Sequence, residues 1–315
     1  MKFLVTGGAG FIGSHIVDAL VKNGDSVSVL DDFSSGRMEN LESAMSKINL
    51  IKGDIRNKDI VKTATTGMDY VLHQAALRSV PKSLMNPELY NDVNINGTLN
   101  ILSRAKEANV KRVVIASSSS IYGEVDKFPE REDFYPMLMS PYGLTKLAGE
   151  YYSRIFSKIH RLETVNLRYF NVFGPRQSLE NEYAVVIPKF ITCMLKDESP
   201  PIHGDGAQTR DFTYVSNVVE ANIKAATTAN IKCEVFNIAC GRSYSVLDIV
   251  KYVNKILNKN IKPKFTPQRP GDVKDTLADI SKAKKLLGFE PEVGFLEGLK
   301  RTVEYFQNKK TQGNA

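Results

Sequence analysis

The chain has 315 residues, 42% hydrophobic and 24% charged, which suits one large α/β domain with a smaller appendage and excludes collagen-like or disordered chains. No apolar run approaches the roughly 18–20 residues that span a bilayer, so no membrane partner is expected. The net charge of +7 comes from dispersed basic residues without an aromatic-basic platform, which speaks against nucleic acid and suits an anionic small-molecule substrate.

The chain begins on strand-like Lys2-Phe3-Leu4-Val5 and a glycine turn. A cleavable leader would consume that strand, so a cytoplasmic protein is expected. Strands are predicted at 2–6, 26–30, 48–52, 70–73, 112–116 and 164–167, with helices between them at 13–22, 60–66, 88–108 and 142–157. Continuous apolar runs alternating with helices predict a parallel sheet covered on both faces, a Rossmann-type doubly wound α/β fold. Ligands then sit at the carboxyl ends of the strands. Beyond Phe170 the chain is punctuated by Gly174-Pro175, Ser199-Pro200-Pro201, Gly204-Asp205-Gly206 and Arg269-Pro270-Gly271, as expected of a smaller lobe of short elements. A helix at 215–226 and a strand at 234–239 are expected to return to the main sheet. Amphipathic helices follow at 245–257, 280–287 and 296–306. The expected division is a nucleotide-binding domain at 1–168 with return segments at about 211–240. A smaller α/β substrate-binding lobe spans 169–210 and 241–308, and 309–315 form a flexible tail.

The turn after the first strand reads Thr6-Gly7-Gly8-Ala9-Gly10-Phe11-Ile12-Gly13. Glycines at Gly7, Gly10 and Gly13 permit a tight turn and close approach of backbone to a pyrophosphate, and the following helix supplies N–H donors. Asp31, ending the second strand eighteen residues past Gly13, suits the ribose hydroxyls of NAD and repels the 2′-phosphate of NADP, a preference that Arg37 nearby softens. Asp54-Ile55 ends the third strand and is a candidate for the adenine.

Ser140-Pro141-Tyr142 reads as an N-cap, a proline at the first helical position, and a tyrosine in the first turn. Lys146 follows four residues later on the same face. A phenol of pKa about 10 is a poor base at neutral pH, and a nearby ammonium together with a positive nicotinamide ring would lower it. The pair can then remove a hydroxyl proton as hydride leaves the same carbon. Ser117-Ser118-Ser119-Ser120-Ile121-Tyr122-Gly123 ends the fifth strand and brings hydroxyls to the same place. Cys193, Cys233 and Cys240 are too few and too scattered for a disulfide framework or a zinc site, and no metal is expected. The sequon Asn96-Gly97-Thr98 has no meaning without secretion.

Together with His73-Gln74-Ala75-Ala76 and Leu167-Arg168-Tyr169-Phe170-Asn171-Val172-Phe173-Gly174, these segments resemble the extended short-chain dehydrogenase/reductase family along nearly the whole chain. Gly204-Asp205-Gly206, Arg210-Asp211-Phe212 and Arg269-Pro270-Gly271-Asp272 resemble its UDP-hexose 4-epimerase branch. The resemblance implies Ser118, Tyr142 and Lys146 as catalytic residues. It implies a tightly bound NAD held by Gly7, Gly10, Phe11, Ile12, Gly13, Asp31, Asp32, Phe33, Asp54, Ile55, Ala75, Ala76, Asn94, Ser117, Tyr142, Lys146 and Tyr169. A UDP-sugar would meet Ser79, Ser118, Ser119, Ser120, Tyr142, Asn171, Lys189, Arg210, Arg269, Asp272 and Thr276. Asp272 would hold uridine's ribose, and the guanidinium forks of Arg210 and Arg269 suit a diphosphate.

The implied reaction removes the 4-hydroxyl proton and C4 hydride, lets the 4-keto sugar turn, and returns hydride to its other face. Dehydratases of the family follow their catalytic Thr with an Asp-Glu pair; Ser119 and Ser120 stand there instead, which speaks against dehydration. The family's gatekeeper is bulky in epimerases limited to plain hexoses and is Thr276 here. With the segment 75–83, which resembles epimerases of UDP-N-acetylglucosamine, this predicts interconversion of UDP-GlcNAc and UDP-GalNAc, with UDP-Glc and UDP-Gal as further candidates. Arg78 in that segment keeps open a UDP-uronate 4-epimerase. A catalytically silent NAD-sensing protein is the rival from another class. The family also implies a homodimer through helices near 88–108 and 142–157.

Overall fold

A computed structural model describes residues 1–178, 186–267 and 273–311. The first half of the chain lays down β1 (Lys2–Thr6), β2 (Ser26–Asp31), β3 (Ile48–Lys52), β4 (Tyr70–His73), β5 (Arg112–Ser118) and β6 (Glu163–Tyr169). They are short and rich in Val, Ile and Leu, with β5 buried along its whole length, as a strand covered on both faces must be. Much later, β11 (Glu234–Ile238) adds to the edge beside β6. The seven strands pair in parallel in the order β11-β6-β5-β4-β1-β2-β3. Strand order reverses between β1 and β4, the switch point at which a crevice opens in doubly wound sheets.

Alternate residues feed the two faces. Phe3, Val5, Val29 and Val114 pack with α1 (Phe11–Lys22) and α8 (Val215–Thr227). Leu4, Leu30, Val71, Val113 and Ile115 pack with α2 (Lys58–Thr65), α5 (Gly97–Glu107) and α6 (Pro141–His160). Between β4 and α5 lie α3 (Val80–Met85), α4 (Pro87–Tyr90) and a π-helical turn over Asn91–Asn96. The helix predicted over 88–108 thus forms as a continuous helical run from Pro87 to Glu107, with a π-helical segment inside it.

A separate core forms around Phe173, Phe190, Phe212, Ile249, Phe295 and Leu299. It gathers α7 (Val186–Leu195), α9 (Val246–Leu257) and α11 (Phe295–Thr311), with Phe11 at the start of α1. Short pairs edge this lobe: β7 (Val172–Phe173) with β10 (Thr213–Tyr214), β8 (Pro201–His203) with β13 (Lys264–Thr266), and β9 (Thr209–Asp211) with β12 (Ser243–Ser245). The small helix α10 (Ser281–Leu287) returns to the main sheet, where Ala283 and Leu287 join its core. Helix α11 continues past Lys309, where the sequence suggests a flexible tail. No helix among the described residues is long and apolar enough to cross a membrane.

Candidate active site

A cavity of about 860 Å³ opens at the carboxyl ends of the strands, a volume suited to a small-molecule site. One end is built by the turn from β1 into α1. Gly7 has φ +66°, and a Cβ there would lie 2.7 Å from the Ala75 nitrogen; one on Gly13 would lie 2.1 Å from the Gly7 carbonyl oxygen. Glycine is thus imposed by backbone meeting backbone. Gly10 caps α1 without any side-chain hydrogen bond, so the first amides of the helix face the cavity as an anion cradle. Asp31 accepts the amides of Ala9 at 2.9 Å and Phe33 at 2.8 Å, and burial pushes its carboxyl above the usual range. Phe11, Ile12, Asp32, Asp54, Ile55, Ala75 and Ala76 complete the lining. The Arg56 guanidinium holds Asp54 below the ordinary carboxylate range.

Two residues expected to touch the nucleotide lie behind this wall. Phe33, at φ 59°, is outside the lining, and its amide orients Asp31. Asn94 is buried in the π-helical turn; its amide nitrogen donates to the Leu77 carbonyl and to Thr145 Oγ1, and its oxygen accepts the Leu77 amide at 2.8 Å. It shapes the wall that Leu77 forms, because both ends of its side chain are taken by protein.

At the chemical end, Ser140 caps α6 by accepting the Gly143 amide at 3.1 Å, and Pro141 starts the helix. Tyr142 is thereby placed in the first turn, over the end of β5. Ser117 and Ser118 belong to β5, paired with Arg168 and Tyr169, whereas the sequence places the strand end at Ala116. The hydroxyl of Ser118 donates to Ser120 Oγ at 3.1 Å and stands near enough to the Tyr142 phenol to oppose the rise in its pKa. Ser118 also accepts the Ser120 amide at 3.1 Å, which turns Ser119 and Ser120 into the cavity lining.

Burial raises the Tyr142 pKa above that of a free phenol, opposed by the Ser118 hydroxyl and by the charge of Arg78. Lys146 stands over the Tyr142 ring, on the same helix face as expected, and is anchored on the strand as well. Its Nζ donates to the Ala116 carbonyl at 2.8 Å and stands 5.9 Å from the Tyr142 ring centre. Burial lowers its pKa to about 8. The charge of Arg78, which lines the same cavity, also opposes the rise in the phenol's pKa.

At the sugar end, Asn171 lines the cavity at φ 34°, and its amide donates to Thr276 Oγ1 at 3.1 Å. Thr276 itself stands outside the lining. It is 6% exposed, because its hydroxyl also accepts the Asp211 amide. Arg210 is turned to the carbonyls of Thr209, Lys274 and Val273, so it braces the chain at 273–274. Ser79 caps α3, and Lys189 is exposed on α7; neither lines the cavity. Arg269 and Asp272 lie outside the described residues. Sequence reasoning missed Asp211. Its buried carboxylate accepts the amides of Cys240, Gly241 and Ala278 and so ties the loop between β11 and β12 and the chain at 278 to β9. It missed Glu150 too, although the spacing of Tyr142, Lys146 and Glu150 is visible in the sequence.

A glycine cradle at the switch point of a parallel sheet, with Tyr142, Lys146 and Ser118 beside it, defines a protein of the short-chain dehydrogenase/reductase type. The family model described as GDP-mannose 4,6 dehydratase matches residues 4–302, and the chain belongs to that family, within the extended short-chain dehydrogenases/reductases. Among solved structures, a UDP-N-acetylglucosamine 4-epimerase from Methanobrevibacter ruminantium M1, in complex with UDP-N-acetylmuramic acid, is 42% identical over 98% of each chain, with a TM-score of 0.94. A UDP-glucose 4-epimerase from Thermotoga maritima, with UDP-glucose, is 40% identical over 98% of this chain and 100% of that one, also at 0.94. The UDP-glucuronic acid 4-epimerase of Bacillus cereus, in complex with UDP-glucuronic acid and NAD, is 37% identical over 98% and 99% of the two chains, at 0.91.

Proposed function

We propose that this chain is an NAD-dependent 4-epimerase of UDP-sugars that interconverts UDP-GlcNAc and UDP-GalNAc through a 4-keto intermediate, with UDP-Glc and UDP-Gal as further substrates. The observation that carries the epimerase reading is the distribution of acids in the cavity. Among its described lining residues, the only carboxylates are Asp31, Asp32 and Asp54, all at the nucleotide end. Beside Tyr142 stand the hydroxyls of Ser118, Ser119 and Ser120, with no acid to expel water from the sugar. The described lining is equipped for proton and hydride transfer, with its acids away from Tyr142.

The crowded glycines and uncapped α1 fit a dinucleotide, which when bound supplies a hydride acceptor and donor at the sugar's C4. Tyr142 removes the 4-hydroxyl proton with Ser118 sharing the oxygen's hydrogen bonds, and later returns a proton to it. Lys146 carries positive charge at the nucleotide side of Tyr142 while its Nζ stays anchored on Ala116. The sugar must turn over between the two transfers, which requires firm hold on the UDP handle and weak hold on the hexose. Asn171, presented by the small lobe, is the described residue best placed for that handle.

The preference for an N-acetylated sugar rests on the small Thr276, tucked beneath Asn171, and on the likeness to the M. ruminantium enzyme. A UDP-uronate reading is favoured by one observation, the Arg78 guanidinium inside the cavity and within electrostatic reach of Tyr142. Turnover of UDP-GlcNAc against UDP-glucuronate, with products separated by chromatography, decides between them; exclusive turnover of the uronate overturns the preference. A homodimer is part of the same proposal. Leu144, Tyr151, Ile155 and Ile159 form an exposed apolar stripe on α6, beside exposed Leu84, Met85 and Leu89, and a second copy would cover it. Light scattering should give twice the chain mass, falling to the chain mass in Ile155→Arg.

A further inference from the structure

We infer that Glu150 is a positioning residue for the Tyr142, Lys146 and Ser118 group, acting with Arg168 to fix the end of β5 through Ser117; the inference rests on the epimerase reading above. Tyr142, Lys146 and Glu150 stand at four-residue steps on α6 and so share one helix face. That face engages three successive residues of β5. Lys146 Nζ donates to the carbonyl of Ala116, Ser117 Oγ donates to Glu150 Oε1 at 2.5 Å, and the Tyr142 phenol comes near enough to Ser118 for the serine to oppose the rise in its pKa. The helix and strand are thereby held in register along the length of the reacting group.

A carboxylate that is 7% exposed needs a partner. Arg168, directly opposite Ser117 on β6, provides it as a fork, with Nε 2.9 Å from Oε1 and Nη2 2.8 Å from Oε2. The guanidinium lies 4.8 Å from the centre of the Tyr122 ring, and Tyr122 in turn donates to Asn237 Oδ1 at 2.6 Å. The Asn237 amide ties to the carbonyls of Glu130 and Asp279. Glu150 is thus immobile from three sides, and the direction of the Ser117 hydroxyl is set. Because the pair's charges cancel within it, its influence on Tyr142 is one of placement. Neither Glu150 nor Arg168 lines the cavity.

The test separates placement from mere stability. Glu150→Gln leaves the Arg168 cation buried and uncompensated and should lower Tm. Glu150→Met/Arg168→Met removes both charges together, a replacement that commonly restores stability. The double variant should regain the wild-type Tm and bound NAD content and keep the KM for the UDP-sugar, yet turn over about 10- to 100-fold more slowly, since a displacement near 1 Å can cost about that much. Ser117→Ala, which spares the ion pair, should lower kcat in the same direction at unchanged Tm. Recovery of kcat together with Tm in the double variant would overturn the inference. If the wild-type protein turns over no UDP-sugar, the epimerase reading fails instead. The crystal structure of the double variant then decides, and an unmoved Ser117-Ser118 backbone beside Tyr142 sinks the positioning role.

Discussion

Tyr142 and Lys146 are legible in the sequence as a pair four residues apart, but their division of labour is not. Spacing suggests that the ammonium tunes the phenol directly. In the fold the ammonium over the phenol ring also donates to the Ala116 carbonyl, and Arg78, sixty-four residues earlier, adds a second charge near the phenol. Nothing local in the sequence announces that meeting, since it is made by the crossover from β4 to α6. Burial brings Lys146 down to about 8, so its ammonium is present below that pH and lost above it. If its charge supports the proton transfer, kcat should decline as pH rises through about 8. A profile that stays flat to pH 10 would contradict the assignment.

A second titration belongs to Glu130, which is 1% exposed, has one carboxylate oxygen without a partner, and is pushed up to about 8 by burial and by Asp211 nearby. Its folded pKa lies above the unfolded value of 4.5. The folded state therefore binds more protons, and the stability this gives is complete below pH 4.5 and is lost between 4.5 and 8. Asp211, raised to about 6, adds a loss of the same sign over a lower window. Glu130→Gln should therefore raise Tm by several degrees at pH 8 and change it little at pH 4. Equal shifts at both would contradict this.

Among elements, the first six strands are read almost residue for residue, because continuous apolar runs bounded by glycine or charge permit little else. The glycine turn is equally legible, and its backbone contacts make it testable. Gly13→Ala places a methyl group where the Gly7 carbonyl already stands, so the purified protein should lose its bound NAD while keeping its helix content. Full NAD content would contradict the cradle. The helix expected over 88–108 forms, from Pro87 to Glu107, but its apolar spacing does not announce the π-turn at Asn91–Asn96. The reason is tertiary, since widening the turn lets Asn94 reach Leu77 and Thr145. Such wide turns recur at functional sites, but their partners lie far off in sequence. The short strands of the small lobe escaped for a related reason: two- or three-residue pairs carry no period.

For the whole molecule, the sheet carries the glycine cradle and the serines beside Tyr142, and the small lobe brings Asn171 to the same cavity. The seam between them is held by Asp211, Asn237 and the chain at 276–279. Residues that the resemblance assigns to the UDP end are partly turned inward, Arg210 to carbonyls and Thr276 to Asn171. The sugar end is accordingly organised through hydrogen bonds beneath its surface as well as by side chains upon it.

The central claim is that Tyr142 is the base of an epimerase that carries its own NAD. Wild-type protein and Tyr142→Phe should each be purified, their bound NAD quantified, and each incubated with UDP-GlcNAc without added nucleotide. The wild type should form UDP-GalNAc; the variant should retain its NAD yet turn over about 10²–10⁴-fold more slowly. Turnover by Tyr142→Phe at the wild-type rate would contradict the account.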